Sequence, residues 1–172
     1  MVQTKDLRPK GFPKFMGNDF FLIGYRVFVR YTSNAGKNLR GLYILKSETD
    51  KKKMEFFGNI FTHYNYTTTD IAIKADGNLK TINSKKSKFE LVIEHSEEEV
   101  DIPENSPFNN WNDARKFAGP LPFTFTVNKE EETVLIIEGV RKDWNPEPVK
   151  VKNYSFDFIN SLNLKGVILA NS

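Results

Sequence analysis

The chain has no cysteine and only two histidines among its 172 residues. The first absence excludes disulfides, thiolate zinc sites and cysteine nucleophiles. The second leaves too few imidazoles for a histidine-rich metal centre. No apolar run approaches the roughly 18 residues of a membrane-spanning helix. The opening MVQTKDLRPK is polar and basic, without the apolar stretch of a secretory leader. A cytoplasmic protein with no membrane partner is the default expectation. There is no glycine-rich phosphate loop, since GFPKFMG lacks both the spacing and the lysine–hydroxyl pair, and no G-x-S-x-G elbow. A catalytic triad would have to use His63 or His95, and neither adjoins a distinctive serine. No cofactor is implied.

A strong excess of one charge is also missing. The net charge is +3. The lysine runs at Lys51–Lys53 and at Lys85, Lys86 and Lys88 are offset by Glu97–Glu99 with Asp101, and by Glu130–Glu132. These runs, and Arg115 with Lys116, read as solvated loops and helix faces and point to no nucleic-acid partner.

What the chain does have is aromatic residues, at 13%, fifteen of them Phe. Phe and Tyr favour strands and bury large areas. With 39% hydrophobic and 27% charged residues and a mean hydropathy of −0.49, the profile is that of a globular chain. Its length suits one domain, over residues 1–172, with a substantial core.

Periodicity organises most of the sequence. Residues 20–32, FFLIGYRVFVRYT, alternate from Tyr25 onward, with Gly24 a candidate bulge. SNAGKN is a turn, and LRGLYILK returns with Leu42, Ile44 and Arg40 on one face. Ser47 or Thr49 caps a short helix over 49–57, which places Met54, Phe57 and Phe61 on one side, with Gly58 weakening the run. THYNYTTTDIAIK, LKTINS and SKFELVIEHS read as strands. Ser106, Pro107 and Gly119–Pro120 bound a second helix whose apolar stripe is Trp111, Ala114, Phe117 and Ala118. A hairpin joins Phe123–Val127 to Thr133–Val140. YSFDFINSLNL reads as strand or helix, with a helix at 155–163 preferred, and KGVILANS reads as a final strand. Seven or eight strands, mostly hairpin-joined, with two or three short helices give an α+β, β-dominated class, with a mostly antiparallel sheet curled on itself.

Candidate site residues lie on these strands. In THYNYTTTD, alternation sets Tyr64, Tyr66 and Thr68 on one face as a wall of phenols and hydroxyls, and His63 on the other. His63 reads either as a surface residue or as a general acid or base. Glu138 interrupts VLIIEGV, as a site carboxylate or as an outward residue of a one-sided sheet. Arg30 and Arg40 sit in apolar strands, where each could hold a carboxylate bidentately or simply cover apolar surface.

The order GYRVFVRYT, LRGLYILKSETDKKKMEFFGNIFTHYNYTTTDI, NDARKFAGPLPFTF and LKGVILANS resembles the acetoacetate decarboxylase-like superfamily, most closely a conserved bacterial branch of unknown function. The resemblance covers nearly the whole chain and implies a cone-shaped, mostly antiparallel barrel with an internal cavity. In the decarboxylases, one of two adjacent lysines forms a Schiff base with the β-keto acid, and the other lowers its pKa. Aligned from Gly58, that pair falls near Tyr66 and Thr67, and the family's acidic residue near Ile60. No lysine occurs from Ile60 to Ala72, and Lys46 and Lys51–Lys53 read as surface. The resemblance also implies a domain truncated at both ends, whose open barrel edge a partner or a homo-oligomer covers.

Two functions follow as expectations, with no reaction assigned. One is binding of a small carboxylate or carbonyl compound in the barrel cavity, without Schiff-base decarboxylation. The other is a non-enzymatic structural or protein-interaction domain.

Overall fold

A fifteen-residue strand and a twelve-residue strand dominate the molecule. In a computed structural model, which describes residues 1–8, 11–95, 100–119, 121–128, 130–139 and 148–163, they are β2 (Asn18–Thr32) and β3 (Asn38–Thr49). The SNAGKN turn joins them, closed by Ser33 N–H donating to the Lys37 carbonyl and Gly36 N–H to the Ser33 carbonyl. The chain divides into two units, Met1–Thr68 with Gly119–Trp144, and Thr69–Ala118 with Asn145–Ser172.

In the first unit, β1 (Val2–Leu7) pairs antiparallel with β2, and a 3₁₀ turn at Lys14–Met16 lies between them. Helix α1 (Lys52–Thr62) follows β3 and leads to the short β4 (Tyr66–Thr68). The free edge of β3 is shared by two parallel neighbours. β4 pairs at Ser47–Thr49, and β8 (Phe123–Asn128) pairs at Gly41–Tyr43. Gly41 permits the second approach, because a side chain there would collide with the Phe123 carbonyl and the Phe125 ring. Strand β9 (Thr133–Glu138) completes the order β1-β2-β3-β8-β9. The sheet is mixed and, among the described residues, open.

The second unit holds an open antiparallel sheet of order β10-β7-β6-β5, made of β5 (Ala72–Asp76), β6 (Leu79–Ser84), β7 (Phe89–Glu94) and β10 (Lys150–Phe156). Rings of Phe89 and Phe156 stack with centroids 5.9 Å apart where β7 meets β10. Helices α2 (Trp111–Ala118) and α3 (Asp157–Ser161) complete it. Among the described residues the architecture is therefore β-dominated α+β, with mostly antiparallel sheets and three α-helices. No strand pairing among the described residues closes either sheet into a barrel.

Several local expectations shift. The bulge falls one step after Gly24: Tyr25 faces Lys46 and Arg26 faces Ile44, so Leu45 is the extra residue. Strand β3 runs on through Thr49, so Ser47 and Thr49 are buried strand residues rather than caps. Helix α1 starts after Lys51, without a side-chain cap, and continues past Gly58 to Thr62. The stretch 62–74 is not one strand, since His63 and Asn65 both have left-handed backbones (φ 53°) before β4 begins. Helix α2 begins four residues after Pro107, where the Asn110 side chain accepts the Asp113 N–H at 2.9 Å. Of residues 155–163, the first two finish β10 and only Asp157–Ser161 are helical. The KGVILANS strand lies outside the described residues.

Candidate functional site

Helix α1 is fastened by polar groups. The Asn59 side chain accepts the Tyr66 N–H at 2.6 Å and donates to the Tyr66 carbonyl at 2.9 Å. Glu55 accepts the Thr68 N–H at 2.8 Å. Gly58 lies against the Tyr66 ring, and a β-carbon there would come within 2.6 Å of it. These ties place the left-handed His63–Asn65 corner over β8. There the Thr126 hydroxyl donates to the Thr62 carbonyl at 3.2 Å, and the Tyr64 and Thr124 hydroxyls bond each other.

The corner overhangs an open cleft of about 380 Å³, bordered by Tyr43, Asn59, His63, Asn65, Thr126 and Glu130. Asn59 is spent on Tyr66. Among the described residues, the side chains of His63, Asn65 and Glu130 carry no hydrogen bond to protein, so an imidazole, an amide and a carboxylate remain for a ligand. No described lysine borders this cleft or the second one, of about 520 Å³, beside Trp111 and Arg115 in the second unit.

Behind the cleft, the Tyr64 and Tyr66 rings lie 6.0 Å apart. Burial pushes the Tyr64 phenol above its ordinary value. Burial pushes Tyr66 up to about 12, with Tyr64 adding to the shift. Arg26 opposes both shifts with its positive charge. Its guanidinium lies over Gly24, where a β-carbon would stand 3.0 Å from Nε. The arginine beside the tyrosine pair is thus Arg26. Arg30 and Arg40 are exposed and face each other near the turn of the β2–β3 hairpin. Thr68 is half-buried in β4. Glu138 is exposed on β9 opposite Phe123. The structure brings Tyr64, Tyr66 and His63 into one neighbourhood and leaves Arg30, Arg40 and Glu138 elsewhere on the sheet. The signal for Arg26 was the glycine two positions before it, which clears a path for the side chain.

A second polar group was not anticipated. Glu48, fully buried, accepts the Tyr25 phenol at 3.1 Å and the Lys46 ammonium at 2.6 Å. The Lys46 ammonium also stands 5.9 Å from the Tyr25 ring centroid. Burial first, then the Glu48 charge, raises the Tyr25 phenol far above its ordinary value. Lys46, read from the sequence as surface, is about a quarter exposed. The apolar alternation of LRGLYILK ends at Lys46 and so does not reveal the cluster. Extending the strand through Thr49 puts Lys46 and Glu48 on one face.

Among the described residues, no three His, Asp or Glu side chains gather as a metal site, and no helix is long and apolar enough to cross a membrane. Comparison of the chain with protein-family models, with curated proteins and with solved structures returned no match.

Proposed function

We propose that the first unit binds a small polar organic molecule, bearing a carboxylate or carbonyl group, in the cleft beneath the His63–Asn65 corner. The observation that carries the reading is the convergence on one cleft of three side chains with no protein partner among the described residues. The imidazole of His63 and the amide of Asn65 can donate to a carboxylate or carbonyl oxygen, and Glu130 can accept from a hydroxyl or ammonium group. A ligand with both features, such as a small hydroxy or amino acid, matches the set. The size of the cleft suits a metabolite-sized molecule. The acetoacetate decarboxylase-like barrel belongs to this same proposal. Strand β3, helix α1 and the His63–Asn65 corner, which lie within the stretch that carries that resemblance, border the cleft together with β8.

The test is a titration of the ¹⁵N-labelled protein with a panel of small keto, hydroxy and amino acids. Saturable shifts at His63 and Asn65 that vanish in His63→Gly and Asn65→Gly support the reading. Glycine is chosen at both positions because it tolerates their left-handed backbones. No saturable shift at that corner from any member of the panel sinks it.

A further inference from the structure

Helix α1 wears its amphipathicity inside out. Its sheet-facing residues are Glu55, Gly58, Asn59 and Thr62, engaged as described. Its outward face carries Phe56, Phe57, Ile60 and Phe61, with Phe56 63% and Phe61 70% exposed. The spacing i, i+1, i+4, i+5 makes these four one continuous stripe, and Lys52 and Lys53 extend it at the N-terminal end. Both lysines are exposed and make no ion pair among the described residues. The one carboxylate of the helix, Glu55, is turned inward onto the Thr68 N–H. The outward face therefore has one sign of charge and one block of apolar surface.

The lysines are also at the wrong end for the helix itself. The N-terminus already carries partial positive charge from unsatisfied N–H groups, and no side chain caps it. Cations there weaken the helix and gain only if an external anion lies opposite them. The 3₁₀ turn at Lys14–Met16 repeats the pattern at the same end of the sheet, since β2 begins where β3 ends. There Phe15 is 87% exposed beside Lys14, with Phe12 and Met16 exposed as well.

From this we infer that α1, together with the 3₁₀ turn, is an interfacial anchor for an anionic lipid bilayer. Phe56, Phe57, Ile60 and Phe61 enter the boundary between headgroups and acyl chains, and Lys52 and Lys53 meet the lipid phosphates. Basic residues flanking a Phe-rich helical face are the composition of helices that lie in the plane of a membrane surface. The charge selects a bilayer over a second copy of the chain, which would bring the same unneutralised lysines. It also selects an anionic bilayer over a zwitterionic one. That no described helix is long and apolar enough to span a membrane does not bear on this, because an interfacial helix crosses nothing.

The experiment is flotation of the whole chain with vesicles of phosphatidylcholine alone, or of phosphatidylcholine with about a third phosphatidylserine, at low and high salt. Phe56→Ser/Phe61→Ser and Lys52→Glu/Lys53→Glu are run beside the wild type, with light scattering and thermal melts on each. The expected result is flotation with the anionic vesicles only, weakening as salt screens the lysines. Each double variant should lose partitioning by on the order of tenfold or more without a fall in melting temperature, and the lysine-to-glutamate variant should melt slightly higher because acidic residues suit a helix N-terminus. Failure of the wild type to float with anionic vesicles overturns the inference. So does flotation of the Phe double variant equal to that of the wild type. A vesicle-indifferent dimer that the Phe double variant turns into a monomer overturns it too, and assigns the face to a second copy. The His63 and Asn65 variants leave this face untouched, so the two proposals fail separately.

Discussion

The Tyr25 phenol donates a hydrogen bond, 3.1 Å long, to the carboxylate of Glu48, a fully buried residue of the first unit. With Lys46 on its other oxygen, the carboxylate has both a neutral and a charged donor. Removing one partner of such a group costs more than the contact itself is worth, because the other is left behind desolvated. Glu48→Ala is expected to destabilise the protein by about 3 kcal/mol, and Tyr25→Phe by about 1.5–3 kcal/mol. Urea unfolding of the two single variants and the double variant checks this. Strict additivity of the two losses would show that the phenol and the carboxylate are not coupled.

Gly58→Ala sets two effects against each other. Helix propensity alone predicts a gain of about 1 kcal/mol. The added methyl, however, meets the buried Tyr66 ring at 2.6 Å, inside the contact distance. Overpacking of this kind costs about 1–3 kcal/mol, so the net change is expected to be destabilising. A more stable Gly58→Ala protein in a thermal melt would show that the helix and β4 give way easily.

Alkaline pH should act through Tyr66. Its phenol titrates at about 12 in the fold against an ordinary 10.0, chiefly because of burial. The folded chain holds this proton more tightly than the unfolded one. The contribution is complete below pH 10 and is lost as pH rises from 10 towards 12. Two units correspond to roughly 3 kcal/mol. The drop in urea midpoint between pH 9 and pH 11 should shrink in Tyr66→Phe. An unchanged drop would assign alkaline sensitivity to other groups.

Acid should act in the second unit through Asp70, whose carboxyl is lowered to about 2 from an ordinary 3.8. The Ser84 hydroxyl that donates to it is the largest cause, and the Lys86 backbone N–H at 3.0 Å is the next. Here the fold binds the proton less tightly. Its stabilisation is present above pH 3.8 and disappears as pH falls towards 2. Ser84 is tied in turn to Thr69 at 2.8 Å, and Thr69 to Ser87 at 2.7 Å. Asp70→Asn should therefore flatten the loss of stability between pH 4 and pH 2, followed by circular dichroism. A pH profile identical to that of the wild type would disprove the assignment.

Much of the sheet was legible in the sequence. The two long strands, their turn, the β8–β9 hairpin and the existence of a helix after β3 all follow from period and punctuation. Faces were harder to read. Helical spacing groups Met54, Phe57 and Phe61, yet Phe57 and Phe61 face out while Met54 is half-buried beside Gly58, and Gly58 and Asn59 face the sheet. Hydrophobicity predicts which residues cluster, but not that a helix will be pinned by an amide bonding the backbone of β4. The THYNYTTTD stretch misled for a related reason. Its alternation is real over β4 alone, because two left-handed residues turn the chain before Tyr66.

Composition and local pattern by themselves determined the β-dominated class, the lack of cysteine chemistry and the positions of most turns. These depend on interactions within a few residues, which any one stretch of chain carries with it. Only the tertiary structure decided that β3 would take two parallel neighbours on one edge, that Arg26 rather than Arg30 or Arg40 would stand beside the tyrosines, and that Glu48 would be buried between Tyr25 and Lys46. Each of those results depends on pairings between segments brought together from well apart in the chain, such as Tyr25 with Lys46, Ser47 with Tyr66 and Gly41 with Phe123. A single bulge at Leu45 changes which side chains face each other, and no local preference records it.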